Sequence, residues 1–264
     1  MPRLSVIIIA RNEEHNILRC LESVKPVADE IVVVDSMSSD HTARLCSDFG
    51  CKVFQREFDG YGTQKQFAAD QATNDWVLSV DADEVVTAEL SDELMKMFGN
   101  AGEKGAESAE KSFIDSMPSG YYIPFSLHFM GRLLRHSGVG KEVHLRLFNR
   151  TMGGFTKVPV HEGIEVKGST GTLRGRIIHY SYRDISHHLE KINTYTSQAA
   201  EGYQNKGRSF SRFWVALKFP TSFISFYIIK RGFMDGYPGF MWSFLAAVYA
   251  TLKVAKTIEL KQKS

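Results

Sequence analysis

Trp76-Val77-Leu78-Ser79-Val80-Asp81-Ala82-Asp83-Glu84 joins a short apolar run to three carboxylates. Four of its first five residues are apolar and β-favouring, so the run suits a buried strand. Two Asp separated by one small residue cannot be buried there unpaired, and must emerge at the strand's carboxyl edge. In open α/β sheets that edge is where ligands bind, and hard oxygen donors this close suit Mg²⁺ or Mn²⁺ carrying a diphosphate. An acidic loop after a strand would carry the same residues, so the rest of the chain has to decide.

Two earlier apolar runs end in the same way. The run from Leu4 to Ile9 is short and β-branched, as in a strand covered on both faces, and leads into Ala10-Arg11-Asn12. The run from Glu30 to Val34 leads into Asp35-Ser36. Between them Asn12 is expected to cap a helix with Glu13 and Glu14 in its first turn and Ile17, Leu18, Leu21 and Val24 at helical spacing. Ser36 to Thr42 reads as a polar turn, Ala43 to Phe49 as a helix and Cys51 to Phe54 as a third strand. After Gly60-Tyr61-Gly62, Thr63 is expected to cap a helix through Lys65. Strands and helices alternating at this spacing predict a parallel sheet with right-handed crossovers. Three strand ends then share one polar edge, which favours a nucleotide site. There Asp35 could accept a uracil N3–H, Asp81 a ribose hydroxyl, and Asp83 could hold the metal.

The segment from Leu4 to Glu84 resembles the nucleotide-binding half of family 2 glycosyltransferases, which have the GT-A fold. The matching residues are S-V-I-I-I-A-R-N-E-E, V-V-D-S-M-S-S-D-H-T and D-A-D-E. The resemblance implies an α/β fold of GT-A type, Rossmann-like, with a mainly parallel central sheet and flanking helices. It also implies that Ala10, Arg11, Asn12, Glu13, Asp35 and Ser36 cradle the uridine, with Lys65 near the base or diphosphate and Asp81 and Ala82 beside the donor. Asp83 would ligate Mg²⁺ or Mn²⁺. Ser38, Ser39 and Asp40 read as turn and cap residues instead.

Downstream, 99–120 is rich in Gly, Ala, Ser, Glu and Lys and reads as a flexible insertion. Strand character resumes at Tyr121, and Arg132 to His136 reads as a loop facing substrate. Glu142 to Phe148 alternates polar and apolar residues, a strand with one wet face. It brings Arg146 and Arg150 either near a diphosphate or onto an exposed basic edge. Val158-Pro159-Val160-His161-Glu162-Gly163 resembles the V-H-E motif of a bacterial subgroup similar to lipopolysaccharide core glucosyltransferases. Inverting transfer needs one carboxylate to deprotonate the acceptor hydroxyl, and Glu162 is the candidate base. A Glu paired with a neighbouring Arg would look the same. His179 ends a further strand, and the subgroup shows a histidine there, a possible metal or diphosphate ligand beside Asp81 and Asp83. His187 and His188 read as helix surface.

Asp184 should cap an amphipathic helix through Tyr203. From Phe210 to Ile229 the chain is dense in aromatics but holds Lys218 and Pro220, and the run from Gly239 to Ala250 is short for a membrane span. The expectation is interfacial helices on the inner leaflet, with Trp214 and Trp242 at headgroup depth. A helical hairpin packed on the catalytic domain, or a dimer contact, is the alternative. The expected division is a catalytic domain over 1–183, with a nucleotide-binding half over 1–98 and an acceptor half over 121–183, then a helical extension over 184–264.

The bulk properties agree. A chain of 264 residues, 43% hydrophobic, can bury a substantial core, and a net charge of +2 gives no argument for nucleic acid. Three cysteines without metal-like spacing fit a reducing cytoplasm, and the run from Leu4 to Ile9 is too short for a secretory leader. The expected activity is metal-dependent inverting transfer of a hexose from a nucleotide-sugar donor to a glycan or glycolipid acceptor at the cytoplasmic face of the inner membrane. Two alternatives stand beside it. A sugar-phosphate nucleotidylyltransferase would want a Gly-rich basic loop where Ala10-Arg11-Asn12-Glu13-Glu14 stands, and a membrane-surface binding module would keep the fold without turnover.

Overall fold

The structure is a computed structural model, and it describes residues 2–98, 117–140, 142–156 and 163–263. The insertion expected over 99–120 therefore lies mostly outside the described residues, as do His161 and Glu162. The described chain divides into two compact units, 1–125 with 142–179, and 126–141 with 180–264.

The first unit is a mixed α/β fold built on one sheet. Strands β1 (Leu4–Ala10), β2 (Glu30–Asp35), β3 (Lys52–Gln55) and β4 (Trp76–Asp81) are parallel, in spatial order β3-β2-β1-β4. Their connections are helices α1 (Ile17–Val24), α2 (Thr42–Phe49) and α3 (Tyr61–Gln71). Leu4, Val6, Ile8, Val33, Leu78 and Val80 turn to one side of the sheet and meet Ile17, Leu21 and Val24 of α1. Ile7, Val32, Val34 and Val77 turn to the other and meet Ala68 and Ala69 of α3. Burial on both faces is why these strands read as continuous apolar runs.

Two helix starts differ from expectation. Asn12 does not cap α1; it takes a left-handed backbone (φ 55°), and the helix begins at Ile17. Helix α3 begins at Tyr61 behind Gly60, whose φ of 128° suits only glycine, so Thr63 lies inside the helix.

After β4 the chain turns through Ala82 and Asp83 into the short strand β5 (Glu84–Val86), then helix α4 (Ala88–Phe98). Strand β6 (Gly120–Phe129) follows, and β7 (Arg132–Leu134) pairs with its second half in the other unit. Strand β8 (Val143–Asn149) lies antiparallel between β4 and the first half of β6. Strands β9 (Gly153–Phe155) and β10 (Ile164–Val166) form a small separate sheet, and β11 (Thr170–Thr172) lies parallel to β6 at Gly120–Tyr122. Strand β12 (Ile177–His179) runs antiparallel to β5.

The second unit is helical. Helix α5 (Ile185–Asn205) starts as expected, with the Asp184 carboxylate accepting the His187 N–H at 2.8 Å. Helix α6 (Arg212–Ile224) carries Pro220 and runs into a π-turn at Ser225–Ile229, and α7 (Gly236–Lys263) completes the unit. Helices α6 and α7 pack through aromatic edges, Phe219 on Phe244 and Phe223 on Phe240. None of the helices of the described residues is long and apolar enough to cross a membrane.

Residues 126–141, expected in the acceptor half, belong to this helical unit. The stretch Arg132 to His136, expected as a loop, is mostly strand. It is β7 and its exit, where the Asp235 carboxylate accepts the backbone N–H groups of Arg135 and His136 and lies 3.1 Å from His136 Nδ1.

Candidate active site

Strand register sets the line of the polar edge. Asp35 pairs with Ala10 across β1 and β2, and Asp81 with Ile9 across β1 and β4. The ends of three parallel strands thus meet at one carboxyl edge, the position that favours ligands in such sheets.

The β1 and β2 ends are tied together by hydrogen bonds. The Ser38 hydroxyl accepts the Asn12 N–H at 2.9 Å and donates to Asp35, which also accepts the Ser38 N–H at 2.9 Å. The Asn12 side-chain oxygen accepts the Ser39 N–H at 2.8 Å. Thr42 and Asp40 accept the Glu13 and Glu14 N–H groups, and the Glu13 carboxylate accepts from Asn16 at 2.8 Å. Asp35 is fully buried in this lattice of bonds, Ser36 accepts from Gln64, and Arg11 stands exposed. Ser38, Ser39 and Asp40 serve the turn, as read, but not as helix caps: α2 follows His41 without a side-chain cap bond, and Asp40 accepts the Thr42 N–H at 2.9 Å.

The Asp81 end is an ion cluster. Lys65 Nζ lies 2.8 Å from Asp81 Oδ1, and Arg146 Nη2 lies 3.1 Å from Oδ2. The same Arg146 nitrogen is 2.8 Å from Glu84 Oε1, while Glu84 Oε2 accepts the Asp81 N–H at 2.7 Å. Arg146 reaches this point because β8 pairs with β4 up to the Leu78–Leu147 pair, and its guanidinium lies over the Phe125 ring at 5.0 Å. Burial would raise the Asp81 carboxyl, but Arg146 and Lys65 outweigh it and hold it well below the ordinary range. Glu84 goes the other way: burial, against the pull of Arg146 and with the push of Asp81, lifts it to about 7. Sequence reasoning had counted Glu84 only as a third acid; its function in the site is to anchor Arg146 and the Asp81 backbone.

Asp83 faces a different partner. Across the β5–β12 pair His179 stands opposite Glu84, which brings its Nε2 to 3.0 Å from Asp83 Oδ2. Burial depresses the imidazole, but the hydrogen bond and charge of Asp83 overcome it, so His179 titrates above its ordinary value. Of the three candidate metal ligands, Asp83 and His179 therefore converge, while Asp81 is engaged by two cations. Among the described residues no cluster of three or more His, Cys, Asp or Glu is arranged to hold a metal ion. A carboxylate oxygen and an imidazole nitrogen side by side are a donor pair that fits a divalent ion completing its shell with diphosphate oxygens and water.

Beside the cluster lies a cleft of about 430 Å³ lined by Lys65, Asp81, Tyr122, His144, Arg146 and Phe155 among others. Tyr122 and His144 were not legible as site residues, because nothing in one dimension says which face of β6 and β8 meets the cleft. Gly163 also lines it, next to Glu162, which lies outside the described residues.

The family described as Glycosyl transferase family 2 matches residues 5–106, the part that carries the three strand ends. An uncharacterized glycosyltransferase of Rickettsia typhi is 31% identical over 100% of this chain and 89% of its own. The lipopolysaccharide core biosynthesis glycosyltransferase LpsC of Rhizobium meliloti is 30% identical over 96% of this chain and 91% of its own. A solved structure, glucosyl-3-phosphoglycerate synthase from Mycobacterium tuberculosis, is 28% identical over 32% of this chain and 34% of that one, with a TM-score of 0.30. By these full-length relatives the chain is a glycosyltransferase and belongs to glycosyl transferase family 2.

Proposed function

We propose that this enzyme transfers a hexose from a nucleotide-sugar donor, a UDP-sugar, to a lipid-linked or cell-envelope glycan such as lipopolysaccharide core, with inversion and with Mg²⁺ or Mn²⁺. The observation that carries the reading is the Asp83–His179 pair at 3.0 Å, at the end of a strand whose other carboxylate is already neutralised. Asp83 and His179 would hold the metal, which when bound offsets the charge of the departing diphosphate. Arg146 and Lys65 hold Asp81 in place and carry the positive charge that faces the same cleft. Asn12, Asp35 and Ser36, at the β1 and β2 ends of the same edge, would bind the nucleoside.

Glu162 is assigned the proton of the acceptor hydroxyl. As the acceptor oxygen bonds to the anomeric carbon, the bond from that carbon to the diphosphate breaks with its electron pair, and the proton passes to the Glu162 carboxylate. The likeness to LpsC along almost the whole chain supports an envelope glycan as acceptor.

Work at the cytoplasmic face of the inner membrane is part of the proposal. Phe213, Trp214, Ile229 and Tyr237 of the helical unit are more than half exposed, and Arg212, Lys230 and Arg231 stand exposed near them in sequence. Apolar side chains interleaved with cations suit an anionic lipid surface. Trp242 does not share that role, because it packs inward against Phe129, Tyr182 and His188.

The test is nucleotide release from a panel of sugar nucleotides with Mn²⁺ or Mg²⁺ and isolated envelope glycolipid. Glu162→Gln is expected to lose roughly 10²–10⁴ in kcat, the usual worth of general-base assistance, while still binding donor. Product formed at the parent rate by Glu162→Gln and Asp83→Ala would overturn the assigned roles.

A further inference from the structure

Apart from the cleft, the helical unit holds a cavity of about 340 Å³ that the transfer reading does not use. Its walls come from four elements: Tyr182 after β12, His188 and Ile192 on α5, Phe226 in the π-turn, and Trp242 on α7. Most of its lining is aromatic or aliphatic, and Ala246 and Ala250 keep the α7 wall low. The volume falls at the small end of the range of roughly 300–1,000 Å³ typical of ligand pockets.

Two features say what such a cavity would take. Lys191 and Lys253 both line it, and among the described residues neither pairs with a carboxylate. Lys191 donates to the Ser181 carbonyl at 2.9 Å and lies over the Tyr182 ring at 5.5 Å; Lys253 lies over Tyr203 at 5.3 Å and Tyr249 at 5.5 Å. Two cations held on aromatic rings without a counter-charge are complementary to an anion. The second feature is His188, 5% exposed, stacked on Tyr182 at 3.7 Å, with Nδ1 lacking any hydrogen-bond partner among the described residues. Buried polar atoms are nearly always satisfied, so this nitrogen in the cavity wall suits the polar end of a ligand and not its chain. The ring and aliphatic carbon that makes up most of the lining is surface an acyl chain would cover.

We propose that this cavity binds the acyl chain of an anionic lipid, with the lipid's charged group at Lys191 and Lys253. Phe226 supplies a route in. It belongs to the turn Ser225–Ile229, whose Ile228 and Ile229 are 53% and 72% exposed, so the cavity wall is continuous with exposed apolar surface. The site is separate from the Asp83–His179 pair and stands or falls independently of the transfer reading.

The experiment titrates the full-length protein, without donor or metal, with dodecyl phosphate below its micelle concentration, by calorimetry. Saturable binding at one site is expected, with dodecyl maltoside binding at least about tenfold more weakly and inorganic phosphate not detectably. The double variant Lys191→Ala, Lys253→Ala is expected to weaken dodecyl phosphate about tenfold or more, and Ala246→Phe, which fills the cavity, to a similar degree. Anionic phosphatidylglycerol vesicles should compete with the probe and phosphatidylcholine vesicles should not. Unchanged affinity in the double lysine variant, or uptake at many sites without saturation, would overturn the proposal. Should Ala246→Phe fail to fold by circular dichroism, the lysine variant, whose changes lie at partly exposed side chains, decides alone. Asp83→Ala should bind the probe like the parent, which keeps a failure here distinct from a failure of the transfer mechanism.

Discussion

The Asp83 carboxylate and the His179 imidazole meet at 3.0 Å although 96 residues separate them in the chain. The contact follows from the β5–β12 pairing, which sets His179 against Glu84 and so beside Asp83. If the pair holds the metal, His179→Ala should raise the Mn²⁺ concentration for half-maximal nucleotide release. The expected rise is at least the ~10–100-fold that loss of a histidine's outer-shell partner costs other sites. A metal titration of initial rates checks it, and an unchanged Mn²⁺ dependence would remove His179 from the ligand set.

Among the described residues Arg146 is the cation that ion-pairs with the buried Glu84, and removing it strands that acid. Arg146→Met is expected to lose about 3–5 kcal/mol of stability, the usual cost of breaking a buried pair from one side. The loss should depend on pH. A carboxyl raised from 4.5 to about 7 on folding favours the fold below its ordinary value and weakens it as pH rises through the raised one. The deficit of Arg146→Met should therefore be larger at about pH 8 than at about pH 5, and Glu84→Gln added to it should flatten the difference. Urea melts of the three proteins at both pH values provide the measurement.

Asn12 combines a left-handed backbone with two cross-loop hydrogen bonds. Asn12→Ala keeps neither the side-chain acceptor nor the tolerance for that backbone, and is expected to cost ~1–3 kcal/mol. Asn12→Gly relieves the backbone and should cost less. Equal losses in thermal melts would mean that the side-chain bond, not the φ angle, is what matters.

His188 makes a prediction in the helical unit. Burial, aided by Lys191, lowers its pKa from 6.5 to about 4, so the fold rejects the proton. A depressed group of this kind contributes stability above its ordinary value that is lost as pH falls from about 6.5 towards about 4. His188→Phe should leave stability near pH 7 within about 1.5 kcal/mol of the parent, and lose less than the parent between pH 6.5 and 4. Identical acid sensitivity in the two proteins would count against a neutral buried imidazole.

These cases also show what one dimension can carry. The strands of the parallel half were legible because burial on both faces leaves an unbroken apolar run, and the acids after β2 and β4 because an unpaired carboxylate cannot sit inside such a run. The Asp184 cap was legible for a similar local reason. The partners of Asp81 were not, since Lys65 and Arg146 arrive from a helix and an antiparallel strand whose register no local pattern fixes. Lys65 and Arg146 were each open to a solvated reading. His188 was misread as helix surface for the same cause: the rings that bury it, Phe129 and Trp242, come from distant elements. Asn12 looked like a helix cap because Asn serves both caps and left-handed turns, and the choice was made by Ser38 and Ser39 across the loop.

The pairing of Asp81 with Lys65 and Arg146 reaches beyond local stability. Written out, the motif is three negative charges at the mouth of a sheet, a field that would repel any phosphate diffusing towards it. Folded, those three face Lys65, Arg146 and a histidine whose affinity for protons is raised, so the mouth is close to electrically balanced. An anionic donor would therefore approach without a barrier of like charge and without strong attraction. Its association rate should be nearly indifferent to salt, leaving discrimination to the contacts made after arrival.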